Sequence, residues 1–256
     1  MENKWALITG ATSGIGEATA IKLAAEGVNL FICGRRLERL NSLKMKIQND
    51  YKADVDIQLL SFDIQDRTQI KDIFTSHKEE LARVSVLVNN AGLARGVDKV
   101  DEADIDDWEQ MIDTNVKGLL YMTRFMLPIL KDHDSEDIIN IGSVSGRWTY
   151  PGGAVYCGTK HAVRAISEGI RQDLCGHNIK VCCIEPGLVH TEFSEVRLED
   201  KTKADAVYAG VKVLAASDIA DSIVWTLKRP AHVNIQEMVI FPTDQASITQ
   251  VNRDKI

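Results

Sequence analysis

The sequence has little of what marks a secreted, metal-binding, membrane or nucleic-acid-binding protein. Its five cysteines, at 33, 157, 175, 182 and 183, are odd in number and form neither a C-x-x-C nor a zinc-type spacing. This usage points to a reducing compartment, with Cys157 read as a small buried filler. Six histidines show no ligand spacing either, so no metal is expected. No apolar run approaches the ~18 residues of a bilayer span. A net charge of -7 without a basic stripe argues against nucleic acid or an anionic membrane as partner. There is no Pro/Gly/Ser-rich linker, internal repeat or low-complexity segment, so residues 1–256 read as a single domain large enough to bury a full core. The opening MENKWALITG enters a strand at once and leaves no room for a signal peptide, so a cytoplasmic protein is expected.

What is present is a regular alternation of strand and helix patterns. Candidate strands are Ala6–Thr9, Asn29–Cys33, Asp56–Ser61, Val84–Asn89, Asp137–Ile141, Lys180–Glu185 and Glu237–Phe241. Helical patterns fill the gaps, including one over Trp108–Lys131 with Leu119, Met122, Phe125 and Met126 on its apolar face. Pro128 predicts a kink or an early end there. Alternation of this kind predicts an α/β fold: a Rossmann-type doubly wound parallel sheet of about seven strands, with helices on both faces and ligands at the strands' C-terminal ends.

Two motifs carry chemistry. The first strand runs into Gly10, Ala11, Thr12, Ser13, Gly14, Ile15 and Gly16, and a helical pattern begins at Glu17. Strand, glycine-rich turn and helix form the first half of a dinucleotide-binding unit. Small residues let the backbone approach a pyrophosphate, which sits on the N–H groups at the helix start. The second motif is Tyr156 and Lys160, four residues apart and therefore on one helix face. An ammonium there favours the phenolate and pulls down a tyrosine pKa that starts at about 10. Tyr156 then becomes a usable acid or base near neutrality, and Ser143 would hydrogen-bond the substrate oxygen that exchanges the proton.

Thr9-Gly10-(x)3-Gly14-Ile15-Gly16, Asn89-Asn90-Ala91-Gly92, Ser143, Tyr156-x-x-x-Lys160 and Pro186-Gly187 together resemble the short-chain dehydrogenase/reductase family, in its order and over almost the whole chain. The resemblance implies Tyr156 as proton donor and acceptor and Ser143 as partner of the substrate oxygen. Lys160 would bind the nicotinamide ribose and lower the tyrosine pKa, and Asn115 would hold a water linking Lys160 to solvent. Asp63 and Ile64 match positions flanking the adenine, and Asn90 one beside its ribose. Pro186, Gly187, Leu188, Val189 and Thr191 are carried over as further cofactor contacts. The family also pairs the Trp108–Lys131 and Val155–Leu174 helices between subunits, so a homotetramer is expected.

The second strand decides the cofactor. It ends Cys33-Gly34-Arg35-Arg36 with no acid until Glu38, whereas NAD requires an acid to accept from the ribose hydroxyls. Two guanidiniums suit the 2′-phosphate of NADP. A loop over about 186–205 is expected to cover the nicotinamide side of the cleft. Arg197 is its candidate carboxylate anchor, with Arg147 and Arg95 on neighbouring walls. NNAGLARG, DWEQMIDTNVKGLLYMTR, EPGLVHTEFSEVR and PAHVNIQEM resemble the branch of NADP-dependent 3-hydroxy acid dehydrogenases, which implies a small 3-hydroxy acid as substrate. Turnover of a neutral ketone, sugar, steroid or 3-oxoacyl thioester is the alternative. A cofactor-binding sensor without turnover is the more remote one, since a pure binder has no use for a paired Tyr/Lys.

Overall fold

The computed structural model describes residues 1–2, 4–51, 53–133 and 135–253. In chain order the elements are β1 (Trp5–Ile8), α1 (Gly14–Ala25), β2 (Asn29–Gly34), α2 (Leu37–Asn49), β3 (Ile57–Ser61), α3 (Arg67–Ser76), α4 (Lys78–Leu81), β4 (Val84–Asn89) and α5 (Ile105–Ile112). They continue with α6 (Leu119–Leu130), β5 (Glu136–Ile141), α7 (Ala154–Asp173), β6 (Ile179–Pro186), β7 (Val189–His190), α8 (Phe193–Leu198), α9 (Lys201–Tyr208), β8 (Leu214–Ala215), α10 (Ala216–Leu227) and β9 (Glu237–Ile240). Seven strands form one parallel sheet in the order β3-β2-β1-β4-β5-β6-β9. All seven expected strands are present, within a residue or so at each end.

The sheet is apolar on both faces, as a parallel sheet covered twice must be. Along β1, Ala6 and Ile8 join one core with Leu30, Ile32, Val88, Ile184 and residues of α1, α2 and α10. Trp5 and Leu7 point the other way, into a core with Phe31, Leu87, Ile138 and residues of α3 and α6. This period of two sets the helices on opposite sides. Strand order reverses between β1 and β4, so a crevice opens at their C-terminal ends. No helix among the described residues is long and apolar enough to cross a membrane.

The single helix expected over Trp108–Lys131 is interrupted. A π-helical turn occupies Asp113–Gly118 between α5 and α6. Wide turns of this type accompany functional sites, and here it delivers the Asn115 side chain inward to the Leu93 backbone and Thr159. Pro128 lies inside α6, which ends two residues later at Leu130. The covering loop is also longer than 186–205: it includes α8 and α9 and closes where β7 pairs with β8.

Gly118 closes the π-helical turn against Ile64, where a β-carbon would lie 2.9 Å from Cγ1 and 3.1 Å from Cγ2. Gly→Ala in an open helix stabilises by roughly 0.5–1 kcal/mol. Gly118→Ala is therefore expected to reverse that sign and destabilise by about 1–3 kcal/mol. Urea unfolding reads the difference, and a stabilised variant would contradict the packing.

Candidate active site

The C-terminal ends of β1, β4, β5 and β6 line a cleft of about 550 Å³. Its inner wall is built by glycines where backbones must meet. Gly10 has φ +64, and a β-carbon there would come within 2.8 Å of Ala91 Cα. Gly14 also has a positive φ, and Gly16 leaves room for Asn90 and the Gly10 carbonyl. Asn90 Nδ2 donates to the carbonyls of Thr9 (2.9 Å) and Gly10 (3.1 Å), tying the end of β4 to the glycine turn. Gly10, Thr12, Ser13, Gly14 and Ile15 line the cleft, while Gly16 sits behind them as a spacer.

At the outer end stand Arg35 and Arg36. Arg36 Nη2 donates to Thr12 Oγ1 at 2.8 Å, and Arg35 Nη1 lies 3.4 Å from Asp63 Oδ2. Ile64 and Asp63 line the same side. Arg39, unremarked in the sequence, pairs with Glu192 at 2.8 Å and so joins α2 to the covering loop.

At the inner end Tyr156 and Lys160 share one face of α7, exposed by only 7% and 6%. Lys160 Nζ donates to the Ile141 carbonyl at 2.9 Å and lies 6.0 Å from the Tyr156 ring centroid. Burial holds the ammonium down at about 8. Burial also pushes the Tyr156 phenol up, against opposing pulls from the Ser143 hydroxyl and the Arg197 charge. The tyrosine pKa lowering expected from Lys160 is not found in the chain alone: desolvation dominates, and the opposing pulls come from Ser143 and Arg197. Asn115 lies outside the cleft lining: both of its N–H groups are used by the Leu93 carbonyl and Thr159 Oγ1, and its oxygen accepts from Leu93 N–H.

The short chain dehydrogenase profile matches residues 4–202. The chain belongs to the short chain dehydrogenase family. It is 40% identical to an NADP-dependent 3-hydroxy acid dehydrogenase of Schizosaccharomyces pombe, covering 99% of this chain and 98% of that one. A sulfoacetaldehyde reductase of Chromohalobacter salexigens is also 40% identical, over 93% of this chain and 94% of that protein. A closed serine dehydrogenase complexed with NADP+ superimposes with a TM-score of 0.90 at 39% identity, covering 98% of this chain and 100% of that one.

Within this short chain dehydrogenase the candidate arginines separate. Arg197 lines the cleft: its Nε donates to the Gly96 carbonyl (2.9 Å) and its Nη1 to the Tyr150 hydroxyl (2.8 Å), with the guanidinium 5.7 Å from the Tyr156 ring centroid. Arg147 is the correction. It does not line the cleft, because its guanidinium is taken by the carboxylates of Glu185 and Glu237. Arg95 is likewise outside, paired with Glu199. Pro186, Gly187, Leu188, Val189 and Thr191 all line the cleft, and Gln245 Oε1 accepts from Leu188 N–H at 2.8 Å. Tyr150, Phe193, Gln245 and Ile248 are lining residues that the sequence did not single out. Aromatic spacing before the Tyr-x-x-x-Lys motif was a usable signal for Tyr150; the C-terminal pair carried none.

A buried lysine with a depressed pKa costs stability wherever it must be charged. Between about 8 and the ordinary 10.5 the unfolded chain binds the extra proton, so this cost is largest below pH 8 and vanishes above pH 10.5. Lys160→Met is expected to raise the melting temperature of the cofactor-free protein at pH 7, by up to about 3 kcal/mol in stability. The gain should shrink steadily from pH 8 to pH 10. Thermal melts of both proteins across that range check it, and a gain independent of pH would show that the lysine is not the source.

Proposed function

We propose that this chain is an NADP-dependent oxidoreductase acting on the hydroxyl-bearing carbon of small 3-hydroxy acids. Candidates are serine, L-allo-threonine, 3-hydroxyisobutyrate, and 3-hydroxypropionate with its oxo partner malonic semialdehyde. The observation that carries the reading is Arg197, a guanidinium facing the cleft beside Tyr156 and held there by neutral oxygens. A carboxylate bound to it leaves a hydroxyl two carbons away within reach of Tyr156 and Ser143. A sulfonate fits the same cation, which accords with the sulfoacetaldehyde reductase relative.

The residues present fit the cofactor. A glycine cradle that any side chain would fill accommodates a pyrophosphate, and Arg35 and Arg36 suit a 2′-phosphate. Asp63, Ile64 and Asn90 are assigned to the adenosine side; Pro186, Gly187, Leu188, Val189 and Thr191 to the nicotinamide side. When bound, the nicotinamide supplies the hydride in reduction and accepts it in oxidation. Tyr156 Oη gives a proton to the substrate oxygen in reduction and takes it in oxidation. The Ser143 hydroxyl orients that oxygen and favours the ionised phenol. Lys160 holds its charge beside the pair, and Asn115 fixes the Leu93 backbone against it. The burial of Tyr156 and Lys160 strengthens each of these interactions.

A homotetramer is part of the proposal. Ile112 and Leu120 are exposed on α5 and α6, and Trp225 and Val239 near the β9 edge, apolar surface that further copies would cover. Light scattering tests it. A cytoplasmic setting accords with the buried free thiols of Cys33, Cys157, Cys182 and Cys183.

The deciding experiment is a panel of 3-hydroxy acids, sulfoacetaldehyde and neutral alcohols, assayed with NADP(H) and NAD(H). Tyr156→Phe is expected to lower turnover by about 100-fold or more with NADPH binding intact; retention of a tenth of wild-type turnover removes Tyr156 from the reaction.

Arg197→Met is expected to lower kcat/KM for acids by roughly 10- to 150-fold, the worth of a charge-assisted pair at ~1.5–3 kcal/mol. Neutral analogues should be nearly unaffected. A wild type without preference for acids moves the case to the neutral-substrate reading.

A further inference from the structure

Arg147 answers to a different need from substrate binding. Glu185, at the end of β6, is 0% exposed. The β6–β9 register sets Cys183 opposite Glu237, which brings Glu185 and Glu237 onto one face of the sheet. Two carboxylates that close demand cations. Arg147 bonds both, and Arg164, one turn beyond Lys160 on α7, lies 3.1 Å from Glu237 and 3.8 Å from Glu185.

Arg147 also terminates the short turn that begins at Ser143. Ser143 Oγ accepts from Ser145 N–H at 3.1 Å, Gly146 N–H bonds the Ser143 carbonyl at 2.8 Å, and Arg147 N–H bonds the Val144 carbonyl at 3.0 Å. The other side of the turn rests on α7, since a β-carbon at Gly146 would lie 2.7 Å from the Lys160 carbonyl. The turn is therefore held on one flank by helix contact and on the other by the Arg147 guanidinium.

We propose that Arg147 is a positioning residue: by bridging Glu185 and Glu237 it fixes the turn that presents the Ser143 hydroxyl to Tyr156. This rests on the reading of Ser143 and Tyr156 as the pair that handles the substrate oxygen. Arg147 touches neither substrate nor cofactor, so its loss acts on the chemical step while NADPH binding persists.

Three variants separate positioning from stability. Arg147→Met leaves the fully buried Glu185 with only the longer Arg164 contact of 3.8 Å and is expected to lower the melting temperature by roughly 5–15 °C. Its kcat on the panel's best acid should fall by about 10-fold or more, with NADPH Kd within a factor of about three. Arg147→Met with Glu185→Gln removes both charges and should recover the melting temperature but not kcat. Arg147→Lys supplies charge without a fork spanning two carboxylates, so it should fold normally with kcat still reduced several-fold. Wild-type kcat in the double variant or in Arg147→Lys overturns the proposal, whether or not Arg147→Met folds. A wild type inactive on every acid, or active as Tyr156→Phe, overturns the functional reading itself. Activity lost in Tyr156→Phe but kept in the Arg147 variants overturns only this inference.

Discussion

A protonatable amine and a phenol are kept dry side by side on α7, and much of the C-terminal edge of the sheet is arranged around that burial. Lys160 satisfies its ammonium on the Ile141 carbonyl at the end of β5. Gly92 leaves the space this requires: a β-carbon there would sit 3.2 Å from Asn115 Oδ1 and 3.4 Å from Lys160 Nζ. Asn115 in turn uses every donor and acceptor of its amide except one lone pair to brace Leu93 and Thr159. A regular α-helix through residues 113–118 would aim that side chain elsewhere, so the π-helical turn is part of what the buried pair demands. Desolvation pushes both groups toward their neutral forms. Fixed dipoles and the Arg197 charge oppose this on the tyrosine side.

The fold and the inner site were legible because they are written in local patterns. Strand alternation, the Gly10–Gly16 turn and the i, i+4 spacing of Tyr156 and Lys160 each involve residues close in the chain. The parts that escaped depend on distant pairings. Arg147 reads as a free loop cation until β6 and β9 are set in register, which supplies Glu185 and Glu237 as its partners. The interruption at Asn115 involves Leu93, Thr159 and Ile64, partners that lie outside DTNVKG. Gln245 reaches the cleft from 57 residues beyond Leu188. Tertiary contacts of this kind override local propensity, and no window on the sequence contains them.

Burial also bears on what the Tyr156 proton can do. A phenol raised by desolvation is a weak acid, and the proton leaves readily only when charge nearby favours the anion. Ser143 and Arg197 are the groups that pull in this direction. Both stand on segments fixed from elsewhere: Ser143 on the turn that Arg147 ends, and Arg197 on α8 of the covering loop. The position of that loop brings the Arg197 guanidinium to 5.7 Å from the Tyr156 ring centroid.

The partners of the three candidate carboxylate anchors, Arg95, Arg147 and Arg197, sort their roles. Arg147 and Arg95 spend their charge on carboxylates, Glu185 and Glu237 for one and Glu199 for the other. Each is electrostatically closed, and a ligand anion would have to displace a protein anion to use it. Arg197 is held by a backbone carbonyl and a phenol, which fix the direction of the fork without neutralising it. The guanidinium is preorganised yet carries its full charge into a cleft walled by Tyr150, Tyr156 and Phe193. In a chain of net charge -7, a cleft-lining guanidinium with no carboxylate partner among the described residues is, under the proposed function, the complement of an anionic substrate. Under the proposed function, that arrangement would favour a small anion whose reacting carbon lies against the Tyr156 hydroxyl.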